Sequence, residues 1–320
     1  MKLRDLLRRP WIGPLGALIL VYLLFVALRP DTFARAGNLV EMARQTAVVG
    51  IAASGMTLVI ILGGIDLSVG STVALTSVIV AALLKAGFGP AAAVLAGVGA
   101  AALAGALSGT LTARLSITPF IVTLGAMSVW RGAAKGLAHE QKIDVDAHGL
   151  DRLVALPGPG NPALFPPSVY LMLLVAALTA VALRYTRFGR HVVAIGSSEP
   201  TARLCGVAVT RVKITVYTLA AALAGLAGVV EFGTLTVGDP TDSMGLELAV
   251  IASVVIGGGS LSGGEGSVAG SLIGAFLMTV IRTGCTYSGL PNWVQEILTG
   301  VIIVTAVAVD RFRRGSRAAA

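Results

Sequence analysis

A short polar stretch, GGIDLSVGS at residues 63–71, interrupts the most apolar part of the chain. The segments TAVVGIAASGMTLVIIL and TVALTSVIVAALL flank it on either side. An aspartate such as Asp66 costs about 2.5–3.5 kcal/mol at the middle of a lipid bilayer. The surrounding glycines allow the backbone to leave the helical conformation. This stretch therefore needs a structural or functional reason, which the rest of the sequence indicates.

The composition is that of an integral membrane protein. Hydrophobic residues make up 55% of the 320 residues, only 12% are charged, and the mean hydropathy is +0.87. The apolar segments lack the two-residue alternation of a membrane β-barrel, so the spans are predicted to be helices. We expect an all-α polytopic membrane protein with Gly-rich breaks. Its charge-free runs predict about ten transmembrane helices, at 10–28, 45–65, 67–84, 86–113, 115–130, 153–183, 214–230, 248–264, 266–281 and 297–309.

The basic residues predict the orientation of these spans. No small-residue cleavage site follows MKLRDLLRRP, so the first apolar run is interpreted as a retained helix rather than a signal peptide. The larger share of the 24 Lys and Arg residues falls at the two termini and in the connections assigned to their side, which predicts cytoplasmic termini. The longest polar connection, about 132–167, becomes the main external loop.

Charge and metal-binding residues suggest no further chemistry. The net charge of +8 is carried mostly beside span ends, where membrane lipid head groups are a better partner than nucleic acid. Cys205 and Cys285 have no metal-ligand spacing and are expected to be free thiols. His139 and His148 lack a third ligand at helical or turn spacing. No metal site and no cofactor are predicted.

A second glycine-rich stretch, GGGSLSGGEGS at 257–267, resembles the first. The two match as GGx[DS]LSxG, and each follows a branched apolar run and precedes another apolar helix. Paired glycine breaks in two halves of a membrane protein are typical of a transport pathway, although two simple turns between helices are the alternative. The residues predicted to form the pathway or gate are Gly63, Gly64, Asp66, Ser68, Gly70, Gly257, Gly258, Leu261, Ser262 and Gly263.

Asp66 has two compatible interpretations. It or Ser68 can accept backbone N–H bonds at the start of the following helix, as a capping residue does. It can also present a polar group to a substrate or to a moving gate. Capping is the favoured energetic role.

The most basic segment, 184–213, lies between spans on the predicted cytoplasmic side. Within it, SSEPTARLCGV has a helix signature, with Ser198 as N-cap, Pro200 in the first turn and Gly206 as the stop. A short helix lying across the cytoplasmic face is expected, which a cytoplasmic partner can grip. A basic loop with an incidental helical turn is the alternative.

The chain lacks the motifs of an enzyme. It contains no GxxxxGK[ST] nucleotide site, no HExxH, and no GxSxG at a strand-to-helix turn. No catalytic residues are therefore predicted, and a transporter of this kind takes its energy from elsewhere.

Four ordered motifs now support a resemblance to a family. GGIDLSVGS, TPFIVTLGAMSVWRG at 118–132, GRHVVAIGSSEPTARLCGV at 189–207 and GLELAVIASVVIGGGSLSGGEGSVAGSLIGA at 245–275 resemble the permease subunit of bacterial ABC sugar importers, the ribose, xylose and galactose branch. The resemblance runs from about Asn38 to Asp310. It implies one transmembrane permease domain over 1–320 in the bacterial inner membrane, which forms the pathway for a pentose or hexose.

The resemblance also implies partners and a coupling site. The partners are an ABC ATPase subunit on the inside, a periplasmic sugar-binding protein, and a second permease, either a copy or a paralogue. ATP hydrolysis would occur on the ATPase subunit. The coupling loop at about 184–213 would dock into it through a coupling helix, with the contributing residues Gly189, Arg190, Gly196, Glu199, Ala202, Arg203 and Gly206.

The chain departs from the family pattern at two places, and the second leaves the substrate open. Ser197-Ser198 stands where relatives usually have a glycine and an asparagine. Arg282-Thr283-Gly284-Cys285 stands where they usually have NGL, which puts a cation near the outer end of a helix. The alternative function is a proton-coupled secondary transporter that uses Asp66, with the glutamates Glu231, Glu247 and Glu265 as further titrating candidates.

Overall fold

The computed structural model describes residues 12–158 and 163–318, with side chains up to residue 308. Within these ranges the chain forms a bundle of thirteen α-helices, one 3-10 turn and two short strands. The helices are α1 (Ile12–Leu28), α2 (Pro30–Phe33), α3 (Ala36–Ile61), α4 (Val69–Lys85), α5 (Pro90–Arg114), α6 (Pro119–Leu137), α7 (Pro167–Tyr185), α8 (Arg187–Ser197), α9 (Glu199–Leu204), α10 (Val209–Leu235), α11 (Leu246–Ile256), α12 (Val268–Tyr287) and α13 (Asn292–Ala318). The 3-10 turn covers Leu150–Leu153, and the strands are β1 (Ile143–Asp144) and β2 (Val237–Gly238).

The helices have the length and composition of a membrane protein. Among the described residues, five helices are long and apolar enough to cross a bilayer: α3, α5, α7, α10 and α12. Shorter apolar helices are α1, α4, α11 and the 292–308 part of α13. The strands form one antiparallel ladder that pairs Ile143 with Gly238 and Asp144 with Val237. The all-α membrane class is thus confirmed.

Helix α3 is the centre of the bundle. It packs against α7, α10, α11 and α12, and almost every residue from Thr46 to Ile61 is buried. Beside it, α10 lies so close to α5 that a Cβ at Gly105 or Gly109 would overlap the α10 backbone or the Tyr217 side chain. Small residues allow this approach, which gives apolar helices their packing energy where lipid offers no hydrophobic drive.

Buried hydroxyls join α3 to α12, which runs antiparallel to it. Thr46 Oγ1 lies 2.9 Å from Thr279 Oγ1, and Thr57 Oγ1 lies 2.8 Å from Ser271 Oγ. Each threonine of α3 also donates to a backbone carbonyl four residues earlier in its helix. These side chains satisfy each other inside the bundle, as buried polar groups must.

Helix α11 differs from the predicted span at 248–264. It has 11 residues and is therefore about 16 Å long. This length is about half the thickness of the hydrocarbon core of a bilayer. The helix ends at Ile256 because three glycines follow, and the rest of the predicted span is the second glycine break. A non-helical segment at 236–245, which we call the connector, precedes α11.

The long connections begin and end inside their predicted ranges. Helix α6 continues to Leu137, so the predicted loop at 132–167 starts six residues later, and it is tied down by β1 and by the Lys142–Asp239 ion pair at 3.0 Å. In the basic segment at 184–213, α7 extends to Tyr185 and α10 begins at Val209. Two helices, α8 and α9, fill the space between them.

Candidate functional site

The first glycine break closes the end of α3. Gly63 has φ +88° and donates its N–H to Ile60 O at 2.9 Å, and Gly64 donates to Val59 O at 2.9 Å. This is the bonding pattern of a Schellman cap, which requires the left-handed conformation that glycine adopts at low cost. The buried Gly64 also lies against the Tyr217 hydroxyl, with no room for a Cβ. The chain then continues without helix to Val69.

The second break repeats this cap at the end of α11. Gly258 has φ +92° and donates to Val255 O at 3.0 Å, and Gly259 donates to Val254 O at 2.8 Å. The structural equivalents of Gly63 and Gly64 are therefore Gly258 and Gly259. The sequence match paired them with Gly257 and Gly258, one residue earlier, because a run of three glycines does not reveal which one takes the positive φ.

For the polar residues, the sequence match is correct: Asp66 corresponds to Ser260, and Ser68 corresponds to Ser262. Asp66 Oδ1 accepts the Ser68 N–H at 2.8 Å and the Ser68 hydroxyl at 2.6 Å. In the second break, the Ser262 N–H donates to Ser260 Oγ at 3.3 Å. Each polar side chain therefore accepts the N–H two residues later, which stabilises a turn after the cap.

Asp66 is buried, with 3% of its surface exposed. It bonds the N–H of Ser68, the N-cap position of α4, so it holds the entry to the helix. Ser68 itself is not a capping acceptor: its side chain makes no cap hydrogen bond and donates to Asp66 instead. From α6, Thr123 Oγ1 adds a bond of 3.1 Å to the Ile65 carbonyl.

The two breaks and α8 meet backbone to backbone. Gly264 donates its N–H to Ile61 O at 2.8 Å, which joins the second break to the last residue of α3. A Cβ at Gly196 in α8 would overlap Ile61 O and lie 2.6 Å from Gly264 N. A Cβ at Gly263 would lie 2.6 Å from Gly196 O and 3.0 Å from Gly63 Cα. We call Gly63, Gly196, Gly263 and Gly264 the glycine junction.

The other residues predicted for the pathway take separate places. Gly257 packs against the Gly270 backbone, and so closes the hairpin of α11 and α12. Leu261 is half-buried and packs on the main core, whereas Ser262 is exposed. Gly70, at the start of α4, lies against Ser243 O and the Glu247 carboxylate. The structure therefore brings Gly63 and Gly263 together and leaves Gly70 in another contact.

Helices α8 and α9 form the short helical element expected in the basic segment. Ser198 caps α9 by accepting the Thr201 N–H at 3.4 Å, and Gly206 has φ +80° just after the helix. The predicted short helix at this position is confirmed. Helix α8 was not predicted; its signal is Thr186, whose hydroxyl accepts the Gly189 N–H at 3.2 Å. The two helices are separate because Ser198 adopts an extended conformation, with φ −163°.

The residues predicted for coupling divide between inner and outer faces of this element. Gly189 is buried against the Leu183 backbone, and Ala202 is buried at 4% exposure. Arg190, Arg203 and Gly206 are exposed. Beside Arg203, Leu204 has 89% of its surface exposed. The inner face holds the element to the bundle, and the outer face presents an apolar residue among basic ones.

An ion pair fixes α9 to α10, and a second one lies within α9. Glu199 lies 2.7 Å from Lys213 Nζ and 3.0 Å from an Arg203 guanidinium nitrogen. Partial burial alone would raise the pKa of Glu199, but the bonds and charges of Lys213 and Arg203 outweigh it and hold the pKa of this carboxyl below its ordinary value. Glu199 therefore orients α9 rather than facing a partner with a free charge.

The connector was not predicted and brings the starts of two helices together. Gly238 packs against Val78 and Ala81 of α4. Ser243 packs against Gly70, which lies about 12 Å from Val78 toward the start of that helix. Helix α11 thus begins beside the start of α4. Arg131 of α6 donates through Nη1 to Pro240 O at 2.8 Å and to Asp242 O at 2.6 Å. The sequence signal is GDPTDSMG at 238–245, a turn-forming run before a short apolar segment.

These features define a helical membrane protein in which the end of α3 and the second glycine break contact a surface helical element. The profile of the family described as "Branched-chain amino acid transport system / permease component" matches residues 38–307. The chain therefore belongs to this permease family, and the resemblance found in the four motifs is confirmed.

Relatives match over nearly the full length. The chain is 36% identical to the ribose import permease protein of Escherichia coli K12 over 309 residues, 96% of each chain. It is 37% identical to the fructose import permease protein of Rhizobium meliloti over 312 residues, 95% of this chain and 86% of that one. It is 33% identical to the L-arabinose ABC transporter permease protein of Azospirillum brasilense, over 95% and 89%. No solved structure matches significantly.

Proposed function

We propose that this chain is the transmembrane permease subunit of an ATP-driven importer, which forms the pathway for a pentose or hexose monosaccharide. The glycine junction carries this proposal, because it joins both broken helices to the surface element formed by α8 and α9. The names of the relatives, which are import permeases for ribose, fructose and L-arabinose, supply the substrate class.

The proposed topology has ten spans in one domain over 1–320, in the inner membrane of a bacterium. The five long apolar helices, the four shorter ones and α6 support it. In this topology both termini and the α8–α9 element are cytoplasmic, and the loop within 132–167 is external. Helix α11 is the exception in length, and its connector supplies the remaining depth.

The proposed partners follow from this orientation. An ABC ATPase subunit binds the outer face of α8 and α9, where Leu204 and Arg203 are exposed. A periplasmic sugar-binding protein docks at the opposite end, and a second permease, a copy or a paralogue, completes the pore within membrane lipid. Because this chain contains no P-loop sequence, ATP hydrolysis is assigned to the ATPase subunit.

The glycine junction suggests how movement passes to the pathway. Gly196 has no side chain between it and the Ile61 carbonyl or the Gly264 amide. A rotation of α8 by the ATPase therefore displaces the end of α3 and the second glycine break directly. Asp66 holds the turn that starts α4, so its proposed role is structural. In a proton-coupled carrier, by contrast, Asp66 would release and bind a proton in each cycle.

Reconstituted transport tests the proposal. The complex of this chain, its ATPase and its binding protein is placed in vesicles, and uptake of D-ribose, D-fructose and L-arabinose is measured. We expect uptake that requires ATP and is insensitive to an imposed pH gradient. The control replaces ATP with ADP. Uptake driven by the gradient without ATP would instead establish the secondary transporter.

A further inference from the structure

The hydroxyl group of Tyr217, on α10, is buried and unpaired. Tyr217 is 1% exposed, and no protein group in the part of the chain that the structure describes forms a hydrogen bond with its hydroxyl. By contrast, the hydroxyl of Tyr22 on α1 donates to the Phe33 carbonyl at 2.9 Å. A buried donor without a partner costs free energy and is uncommon in folded proteins. The Tyr217 hydroxyl therefore needs an explanation.

The Tyr217 hydroxyl lies directly against Gly64 in the first glycine break. A Cβ at Gly64 would overlap the hydroxyl oxygen and would lie 3.4 Å from Cζ, the ring carbon that carries it. Gly64 is buried, and no described residue donates a hydrogen bond to its carbonyl. The next carbonyl, that of Ile65, accepts from Thr123 at 3.1 Å. An unpaired donor is thus in contact with a residue whose acceptor is also unpaired.

Tyr217 is held firmly, whereas the backbone at Gly64 is free to rotate. A Cβ at Gly109 of α5 would lie 3.0 Å from the Tyr217 Cβ, and a Cβ at Gly105 would overlap the Tyr217 carbonyl oxygen. Gly64 lies outside the helices on either side of it, and glycine adopts backbone conformations that other residues avoid. A rotation of the peptide group after Gly64 therefore changes where its carbonyl points, while the hydroxyl stays in place.

Two routes link the first break to the surface element formed by α8 and α9. In the first, the Ile61 carbonyl accepts the Gly264 N–H in the glycine junction. In the second, Glu199 of α9 pairs at 2.7 Å with Lys213 of α10, and Tyr217 follows about one helical turn later on α10. A movement of the surface element can thus reach the break through the junction and along α10.

We propose that the Tyr217 hydroxyl donates to the Gly64 carbonyl in a second conformation of the first break, so that Tyr217 is a positioning residue for the gate. The inference rests on the proposed function, in which the break moves during transport. Both groups are unpaired in this structure and are paired in the second conformation, so the bond favours the second conformation. Loss of the hydroxyl shifts the equilibrium back and slows the cycle.

Tyr217→Phe removes the hydroxyl and keeps the ring. Because the hydroxyl makes no bond to the protein in this structure, we expect the purified chain in detergent to unfold at the wild-type temperature or above it. In vesicles that hold the complete complex with the ATPase and the binding protein, ATP-driven uptake should fall about fivefold. This factor corresponds to one hydrogen bond of ordinary net strength.

Tyr22→Phe is the matched control, because its hydroxyl is already bonded in this structure and lies outside both breaks. This variant should unfold at a lower temperature and keep the wild-type uptake rate. If Tyr217→Phe also unfolds at a lower temperature, its hydroxyl is bonded in the resting conformation, for example to a water molecule, and the proposal is wrong. Wild-type uptake by Tyr217→Phe would overturn it as well.

The outcomes separate the two proposals. If the wild-type complex imports none of D-ribose, D-fructose and L-arabinose with ATP, the proposed function fails and the positioning role fails with it. If the wild type imports one of them and Tyr217→Phe matches its rate, the positioning role alone is wrong. The amount of ATPase that co-purifies with each variant normalises its uptake to the assembled complex.

Discussion

At the scale of single residues, glycine and aspartate have different tasks in the breaks. The left-handed glycines Gly63 and Gly258 end their helices, whereas Asp66 fastens the turn that follows. A buried carboxylate at this position is explained by its two bonds from Ser68. Its importance lies in accepting hydrogen bonds, which an amide oxygen can also do.

Asp66→Asn is therefore expected to retain much of the ATP-driven uptake. The Asn carbonyl oxygen can still accept from the Ser68 N–H and hydroxyl. Asp66→Leu removes the acceptor and should lower stability by at least about 1 kcal/mol, the typical value of a cap, and impair uptake. Thermal unfolding in detergent and vesicle uptake measure both effects. Equal damage from Asn and Leu, together with uptake that responds to a pH gradient, would favour the proton relay.

Gly196→Ala tests the glycine junction. The added methyl overlaps Ile61 O and presses on the Gly264 amide, so α8 must shift away from both breaks. We expect the protein to remain folded and to bind its ATPase, but to take up fewer sugar molecules for each ATP that is hydrolysed. Gly125→Ala in α6, where nothing lies within 4 Å of the new methyl, is the matched control. Wild-type coupling in Gly196→Ala would refute the role of the junction.

At the scale of elements, α9 has an inner face that holds it and an outer face that is free to bind. Ala202 is buried in the main core, and the Glu199–Lys213 pair fixes the helix to α10. Leu204 projects from the other side. This division allows the two faces to be tested separately.

Leu204→Asp is expected to weaken attachment of the ATPase subunit without unfolding the membrane domain. The substitution puts a charge in place of the exposed apolar side chain, and an ATPase surface that covers position 204 would have to desolvate that charge without a partner. Leu204→Met keeps the apolar surface and serves as control. Co-purification of the ATPase measures the effect, and undiminished recovery with Leu204→Asp would exclude Leu204 from the interface.

The anchoring of α9 should depend on pH. Because the pKa of Glu199 is lowered in the folded protein, its stabilisation is present above the ordinary glutamate pKa and is lost as pH falls through the lowered value. Hydrogen exchange of the amides in 199–204 should therefore lose protection in acid. The effect is modest because the carboxylate is partly exposed to solvent. In Glu199→Gln this pH dependence should be absent, and an unchanged profile would contradict the assignment.

At the scale of the whole molecule, the connector and Arg131 determine where the second broken helix begins. Connector carbonyls have no helical partner, and inside a membrane each unsatisfied group costs several kcal/mol. Arg131 satisfies two of them from a neighbouring helix. It therefore links α6 to the start of α11 and, through Gly70, to α4.

Arg131→Met should destabilise the protein by about 3 kcal/mol, the upper value for hydrogen bonds to a charged group. Arg131→Lys keeps the charge and should recover part of this loss, because an ammonium group can reach one carbonyl but lacks the planar fork. Thermal unfolding of the purified chain measures the difference. Lys135→Met, on an exposed site of the same helix, is the control. Equal stability of wild type and Arg131→Met would show that the connector is held by other contacts.

The sequence by itself determined the helical membrane class, the family, the two glycine breaks and the helix at 199–204. These depend on local properties: hydropathy over a span, capping by Ser198, and the freedom of glycine. Only the tertiary structure decided which glycine of 257–259 takes the positive φ, how Arg131 holds the connector, and that Gly63, Gly196 and Gly263 meet. The reason is physical, since these contacts join segments far apart in the chain, and each residue alone would be compatible with many partners.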